Sequence, residues 1–364
     1  VKRNYYIFSS GKLRRKDNTI FFEPYSKDSE ANTAELDEDI LIDTEEPDEA
    51  PTYGGSEDIR KIKKAIPIED VESFYCFGEH RFNSKFFVFL SQHNIPLHLF
   101  NYYGYYSGSY YPKETLVSGK LLISQVDAYK DEARRITIAR EFIEASASNM
   151  LKNLQYYNQR ERDMTPFIEM IKDLKSKIKD ATDIKELMGI EGNIRKIYYE
   201  SWHLIITEPI DFEKREKRPP PNPVNALISF GNGMLYANTL SEIYQSQLNP
   251  TISYLHEPGE KRFSLALDIA EIFKPLLVDR TIFSLLNKKV IQEKHFDKEL
   301  NMCYLNDEGR KLFSKEFDEK LKTTIQHRSL KRSVSYQSLI RLKCYKLIKH
   351  LLNDKKYEGF KIWW

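Results

Sequence analysis

Cysteine is scarce. The three present, Cys76, Cys303 and Cys344, are odd in number and far apart, which suits neither a disulfide framework nor a zinc site, so all three read as structural thiols. Long apolar runs are absent too: no stretch approaches the roughly 20 residues needed to cross a bilayer. The first residues, Val1 to Tyr5, also lack the apolar run of a secretion signal, and together these absences predict a cytoplasmic protein with no membrane partner. There is no internal repeat, no Walker-type phosphate loop, no GxGxxG followed by the right elements and no HExxH. Phosphate-loop nucleotide hydrolysis, dinucleotide chemistry and zincin-type proteolysis are left without a motif.

Charge of both signs is abundant, and its placement matters more than its sum. With 30% charged, 41% hydrophobic and 13% aromatic residues, the chain has material for sizeable cores, and global disorder is excluded. A length of 364 residues favours two domains over one. The formal net charge is only +2, yet thirteen acids lie between Asp28 and Asp58 with no Lys or Arg among them, which leaves +15 on the rest. A basic body points to a polyanionic partner; simple balancing of the two charge sets for solubility is the plainer alternative.

Residues 1–113 read as β-rich. Tyr5-Tyr6-Ile7-Phe8 ends at Ser9-Ser10-Gly11, and Ile20-Phe21-Phe22 follow a turn at Asp17-Asn18, the pattern of a hairpin. The acidic stretch 28–58, with Pro47, Pro51 and Gly54-Gly55, reads as an insertion. Strands resume at 65–68, 73–77 and 96–101 around a short helix at 83–93, and a Gly-, Ser- and Tyr-rich passage, 102–111, closes the region. From Leu116 the apolar spacing turns to three and four, predicting helices over 133–157 and 167–178. The break Arg218-Pro219-Pro220-Pro221-Asn222-Pro223 precedes a helix that Asn225 can cap, and others begin near Phe263, Glu308 and Ser335. The fold class is α+β: an N-terminal β-sheet domain, 1–113, followed by a larger all-α domain, 114–364.

The residues able to do chemistry lie in the second domain. In the segment 262–275 apolar side chains cover most of a helix, and Asp268 and Glu271, three apart, share its one polar gap. Such a pair faces water, a cation or a ligand, and a narrow solvated strip continued by Lys274 accounts for the pattern equally well. His256 sits in a loop marked by Pro258 and Gly259, where most histidines are plain surface. Glu191 borders the apolar face formed by Leu187, Ile190, Ile194 and Tyr198, and its flanking Gly189 and Gly192 hint at a close backbone approach. Together these groups form an oxygen-rich set with one nitrogen, suited to Mg²⁺ or Mn²⁺, with the imidazole leaning toward Mn²⁺. Such an ion polarises a phosphodiester and lowers the pKa of a hydroxyl, the two demands of phosphoryl transfer on DNA. From Lys320 to Lys349 nine Lys or Arg and no acid suit a phosphate backbone, with Tyr336 and Tyr345 placed to stack on unpaired bases.

Several of these motifs resemble, in order and spacing, those of the CRISPR-associated protein one family. They are Tyr5-Tyr6-Ile7-Phe8-Ser9-Ser10-Gly11, Ile66-Pro67-Ile68-Glu69-Asp70, Phe100-Asn101-Tyr102-Tyr103-Gly104, Gly189-Ile190-Glu191-Gly192, the proline-rich break, Leu255-His256-Glu257-Pro258-Gly259 and Ser264-Leu265-Ala266-Leu267-Asp268-Ile269-Ala270-Glu271. The resemblance implies the integrase and endonuclease subunit of CRISPR adaptation, possessing a β-domain that dimerises and a helical domain that holds a divalent metal. By this resemblance Glu191, His256 and Glu271 match the metal ligands and Asp268 the neighbouring acid. The last ligand position is Asp in some relatives and Glu here. Arg195, Arg218, Arg262, Lys331, Arg332 and Arg341 would hold the DNA strands. Implied partners are double-stranded DNA, including CRISPR repeat DNA, a second copy of the chain and a small ferredoxin-like adaptation protein. The phrasing around 100–111 is similar to subtype I-B. The acidic stretch has no counterpart in the family pattern, and a non-catalytic DNA-binding scaffold is the alternative function.

Overall fold

The computed structural model describes residues 2–25, 64–113, 116–160, 162–207, 212, 214–216, 219–259, 262–299, 302–327 and 330–363. The acidic stretch 28–58 and Arg218 fall outside them. Two units emerge, residues 1–99 with 109–113, and residues 100–108 with 114–364.

The first unit follows from short runs that alternate between core and solvent. Its strands are β1 (Arg3–Ile7), β2 (Gly11–Lys16), β3 (Thr19–Pro24), β4 (Lys64–Pro67), β5 (Val71–Cys76), β6 (His80–Arg81) and β7 (Leu97–Phe100), with helix α1 (Ser84–Gln92) between β6 and β7, while β8 (Tyr106–Tyr110) is divided between the two units at Ser109. Two four-stranded sheets form, in the orders β4-β3-β2-β6 and β1-β5-β7-β8. β2 and β3 are the expected hairpin, turned at Asp17, whose φ of 54° is the left-handed conformation that a short Asp tolerates. β1 pairs with β5 in parallel. Leu13, Ile20, Ile66, Phe74, Phe86, Leu90 and Leu97 build one core, and Asn83 caps α1 by accepting the Phe86 N–H. The Gly-, Ser- and Tyr-rich passage 102–111, to which the sequence assigns no element, contains strand β8: Ser107-Gly108-Ser109 has little strand propensity, and an edge position beside β7 overrides it.

The second unit is mostly helical. Its elements are α2 (Gly119–Lys130), α3 (Glu132–Asn158), α4 (Thr165–Lys177), α5 (Ile184–Glu200), α6 (Trp202–Ile205), α7 (Pro223–Tyr244), α8 (Ser264–Phe273), α9 (Arg280–Asn287), β9 (Phe296–Glu299), β10 (Met302–Leu305), α10 (Asp307–Lys322), β11 (Thr324–His327), β12 (Arg332–Ser335) and α11 (Tyr336–Leu351). Side-chain caps set many of the starts: Asp131, Asp183, Asn222, Asn306 and Ser335 each accept a backbone N–H of the first turn.

Three expectations are corrected here. The cap of α7 is Asn222, not Asn225. Pro223 takes the first helical position, where its missing N–H costs nothing, while buried Asn225 holds the preceding loop by bonding Arg215, Glu216 and Lys214. The domain is not all-α either, since β9–β10 and β11–β12 are antiparallel hairpins. Strands of four residues are too short to show a period, and three of the four residues in Phe296–Glu299 face solvent. Finally, the helix of 262–275 does not stop at Pro275. It widens into a π-helical segment, Lys274–Asp279, and runs on into α9.

That widening has a cause. Pro275 has no N–H to offer the Glu271 carbonyl one turn back, so the α-ladder fails at this point. Two fully buried asparagines of α3 supply donors to carbonyls around the break: Asn149 Nδ2 bonds the Ile272 carbonyl at 2.9 Å and Asn153 Nδ2 the Pro275 carbonyl at 2.8 Å. Asn153 also donates to the Tyr198 hydroxyl at 2.9 Å and accepts from Arg280 Nε at 2.7 Å. Asn153→Ala strips a carbonyl, a hydroxyl and a guanidinium of their partner in a dry site. Urea unfolding should register a loss of about 3 kcal/mol, and a loss under about 1 kcal/mol would mean that water replaces the side chain.

Candidate metal and nucleic-acid site

Helix α5 turns Leu187, Ile194 and Tyr198 into the core, which leaves Glu191 and Arg195 one turn apart at its buried edge. Arg195 Nε donates to Glu191 Oε1 at 2.7 Å. Its other nitrogen crosses to Glu271 on α8, whose second carboxylate oxygen meets Lys274 of the same helix. Glu271 and Arg195 are both largely buried, with side chains 7% and 15% exposed. Burial by itself would raise the Glu271 pKa, but the charges of Arg195, Lys274 and His256 outweigh it and hold the group well below the usual carboxylate range. Burial likewise opposes the Arg195 charge, yet Glu271 and Glu191 drive its pKa well above the ordinary value.

Asp268, one turn before Glu271, is fully buried and contacts backbone rather than water. Its Oδ2 accepts the N–H groups of Tyr254 and Leu255 at 2.7 and 3.0 Å, and its Oδ1 accepts those of His256, backbone at 2.9 Å and Nδ1 at 2.8 Å. One carboxylate therefore folds the loop 254–256 and fixes the imidazole, with Nδ1 protonated and Nε2 the nitrogen available to a ligand. Neither the solvated strip nor the surface histidine describes these residues, because His256 is only 19% exposed. Arg135 on α3 pins the same loop through the Tyr254 carbonyl and Glu257.

Among the described residues no three of His, Cys, Asp and Glu stand close enough to hold a metal ion. The donors nonetheless fit Mg²⁺ or Mn²⁺ in kind: two carboxylates from different helices already converge on one cation, and Asp268, one turn before Glu271 on the same helix, orients an imidazole. Arg195 and Lys274 occupy the carboxylate oxygens an ion would take. Among the described residues Gly189 and Gly192 meet nothing within 4 Å that a methyl group would touch, so no close approach there accounts for them.

The sequence reading missed Asp279, at the end of the π segment. It is 1% exposed, its Oδ2 has no hydrogen-bond partner among the described residues, and Tyr198 lies against the carboxyl. Burial pushes its pKa up to about 7, against the opposing pull of Arg195, Tyr198 and Lys274.

The basic positions divide. Arg262, Lys331 and Arg332 are exposed, the last two at the turn of β11–β12, where Lys331 adopts a φ of 51°. Arg195 departs from the expectation of a strand contact, being held by two carboxylates. So does Arg341, whose Nε bonds fully buried Glu242 of α7. Tyr336 is buried and in no position to stack on bases, whereas Tyr345 is 42% exposed. Lys343 is buried as well, and desolvation brings its pKa down to about 7.

Residues 55–319 match the family described as CRISPR associated protein Cas1. Proteins named CRISPR-associated endonuclease Cas1 from Fusobacterium nucleatum and Clostridium perfringens are 48% and 46% identical; the matches cover all of this chain and 98% and 99% of theirs. A solved Cas1 protein from Thermotoga maritima, 38% identical, superposes on 98% of this chain and 100% of its own with a TM-score of 0.79. A casposase bound to integration product shares the fold at 20% identity, with a TM-score of 0.82 over 99% of this chain and 93% of that one. The chain belongs to the Cas1 family.

The depressed Glu271 pKa has a sign. The group stabilises the fold fully above its ordinary value of 4.5 and loses that contribution as pH falls toward its folded value near 2. The stability difference between the wild type and Glu271→Gln, measured by urea unfolding, should therefore shrink as pH drops through this window. A difference independent of pH would show that the ion pairs contribute nothing net.

Proposed function

We propose that this chain is a divalent-metal-dependent DNA endonuclease and integrase of CRISPR adaptation, inserting captured fragments into a repeat array by phosphoryl transfer. The observation that carries this reading is the convergence of Glu191 and Glu271, from separate helices, on one cationic centre beside an imidazole fixed by Asp268. In this role Glu191, His256 and Glu271 hold Mg²⁺ or Mn²⁺, which when bound polarises the phosphodiester and favours ionisation of the attacking hydroxyl. Asp268 keeps the His256 proton on Nδ1 and so keeps Nε2 aimed at the ion. Arg262, Lys331 and Arg332, with Arg218 outside the described residues, contact phosphates and set the path of the strands.

The proposed partners are double-stranded DNA, including the CRISPR repeat, a second copy of the chain joined through the β-rich domain 1–113, and a small ferredoxin-like adaptation protein. No described helix is long and apolar enough to cross a membrane. A cytoplasmic location accords with a DNA substrate. The alternative, a DNA-binding scaffold without catalysis, draws on the fact that the three proposed ligands do not stand together as a cation site.

Two measurements test these roles. Glu191→Ala, His256→Ala and Glu271→Ala, each made singly, should abolish Mn²⁺-dependent cleavage and strand transfer while leaving duplex affinity within a few-fold. A wild type that retards DNA without altering it at any Mn²⁺ concentration would establish the scaffold instead. For the basic hairpin, Lys331→Ala with Arg332→Ala should flatten the log–log dependence of duplex affinity on salt by up to roughly 2 units, read by fluorescence anisotropy. An unchanged slope would route the DNA elsewhere.

A further inference from the structure

Glu191 and Glu271 are satisfied by Arg195 without any metal, and this raises a question of charge. An ion joining the two carboxylates would leave a guanidinium that is mostly buried beside a dication, stripped of both its anions. Such a cation has to leave the site or find another anion. Lys274, on the other side of Glu271, is 17% exposed and has a long flexible stem. Arg195 stands on the rigid inner face of α5.

One carboxyl nearby has no cation of its own. Asp279 makes no ion pair among the described residues, is 1% exposed, and keeps Oδ2 without a hydrogen-bond partner in the protein interior. It lies against Tyr198, which is three residues after Arg195 and thus one turn along the same face of α5. The charged and titratable groups around it are Arg195, Tyr198, Tyr199, Lys274 and Glu271, so Arg195 and Lys274 are the cations at hand. The π segment ends at this residue, within the same continuous run that starts beside Glu271.

We propose that Arg195 is a placeholder for the metal ion, and that Asp279 is the carboxylate that receives its guanidinium when the ion takes Glu191 and Glu271. The proposal rests on the metal reading given above. It makes Arg195 and Asp279 positioning residues: the first keeps two buried carboxylates together without the ion, and the second removes the competing cation once the ion arrives.

Calorimetric titration of Mn²⁺ into full-length, metal-stripped protein tests the pair. Asp279→Asn keeps the shape and removes the receiving charge, so Mn²⁺ affinity should fall about tenfold, within the range seen when groups that support metal ligands are changed. The metal-free melting temperature should not fall. Arg195→Gln removes the competitor, so its metal-free protein should melt lower than wild type and gain more from Mn²⁺. In that background Asp279→Asn should change affinity by less than about twofold, because the two residues act through one event. An equal loss in both backgrounds would mean that Asp279 acts on the ion itself and would overturn the proposal. So would an Asp279→Asn variant that binds Mn²⁺ like the wild type, a comparison that stands even if Arg195→Gln fails to fold. Glu191→Gln and Glu271→Gln separate the two levels of the argument. Mn²⁺ binding indifferent to both would remove the metal reading and this proposal with it, whereas binding that needs both but lacks the 195–279 coupling would remove the placeholder alone.

Discussion

The ionic contact from Arg195 to Glu191 and Glu271 is the constraint on which the helical unit is arranged. Neither carboxylate could sit at the edge of an apolar core alone, since breaking a buried pair by removing one partner typically costs about 3–5 kcal/mol. With the guanidinium in place, α5 and α8 are tied at the level where both would otherwise expose acid to apolar surroundings. Packing around the contact is then free to be hydrophobic. Leu187, Ile194, Ile269 and Ile272 all lie within 1% of complete burial.

A third carboxylate does a different job one turn away. Asp268 gives all its acceptor capacity to one loop and one imidazole, and so it is a folding element as much as a chemical one. Two acids three apart on α8 thereby take opposite surroundings. Asp268 meets uncharged backbone donors and a ring nitrogen, and Glu271 meets full positive charges. The difference comes from what faces each of them, and nothing in their own chemistry distinguishes them.

How much of this was legible in the sequence follows the same line. The gap in the apolar surface of α8 could be read because a helix has a fixed period, and the chemistry of Asp268 and Glu271 was drawn from it. The β-rich first domain and the helical second one were legible from apolar spacing as well. Asp279 was invisible, because a lone acid after Pro275 carries no periodic signal and its significance depends on Tyr198, 81 positions earlier, lying against it. Asn149 and Asn153 carry no signal of their own within a long helix, and the Ile272 and Pro275 carbonyls that they bond explain why they are buried. In the basic stretch 320–349 the count of charges was correct and their placement was not. Arg341 and Lys343 are engaged within the protein, and among the described residues of this region the exposed basic positions are Lys322, Lys331, Arg332 and Lys349.

The π segment also sets a tolerance to length. A wide turn holds one residue more than an α-turn, and the helix beyond it is rotated by about 100° relative to a regular continuation. A chain one residue shorter between Lys274 and Asp279 would lack that extra residue, although Pro275 would still leave the Glu271 carbonyl without an α-helical donor. It would also swing the apolar face of α9, with Ile282, Phe283, Leu285 and Leu286, away from its present neighbours. Outside Lys274, Pro275 and Asp279, the segment can thus be varied in composition more freely than in residue count: at Leu276, Leu277 and Val278 the number of residues, more than their identity, carries the information.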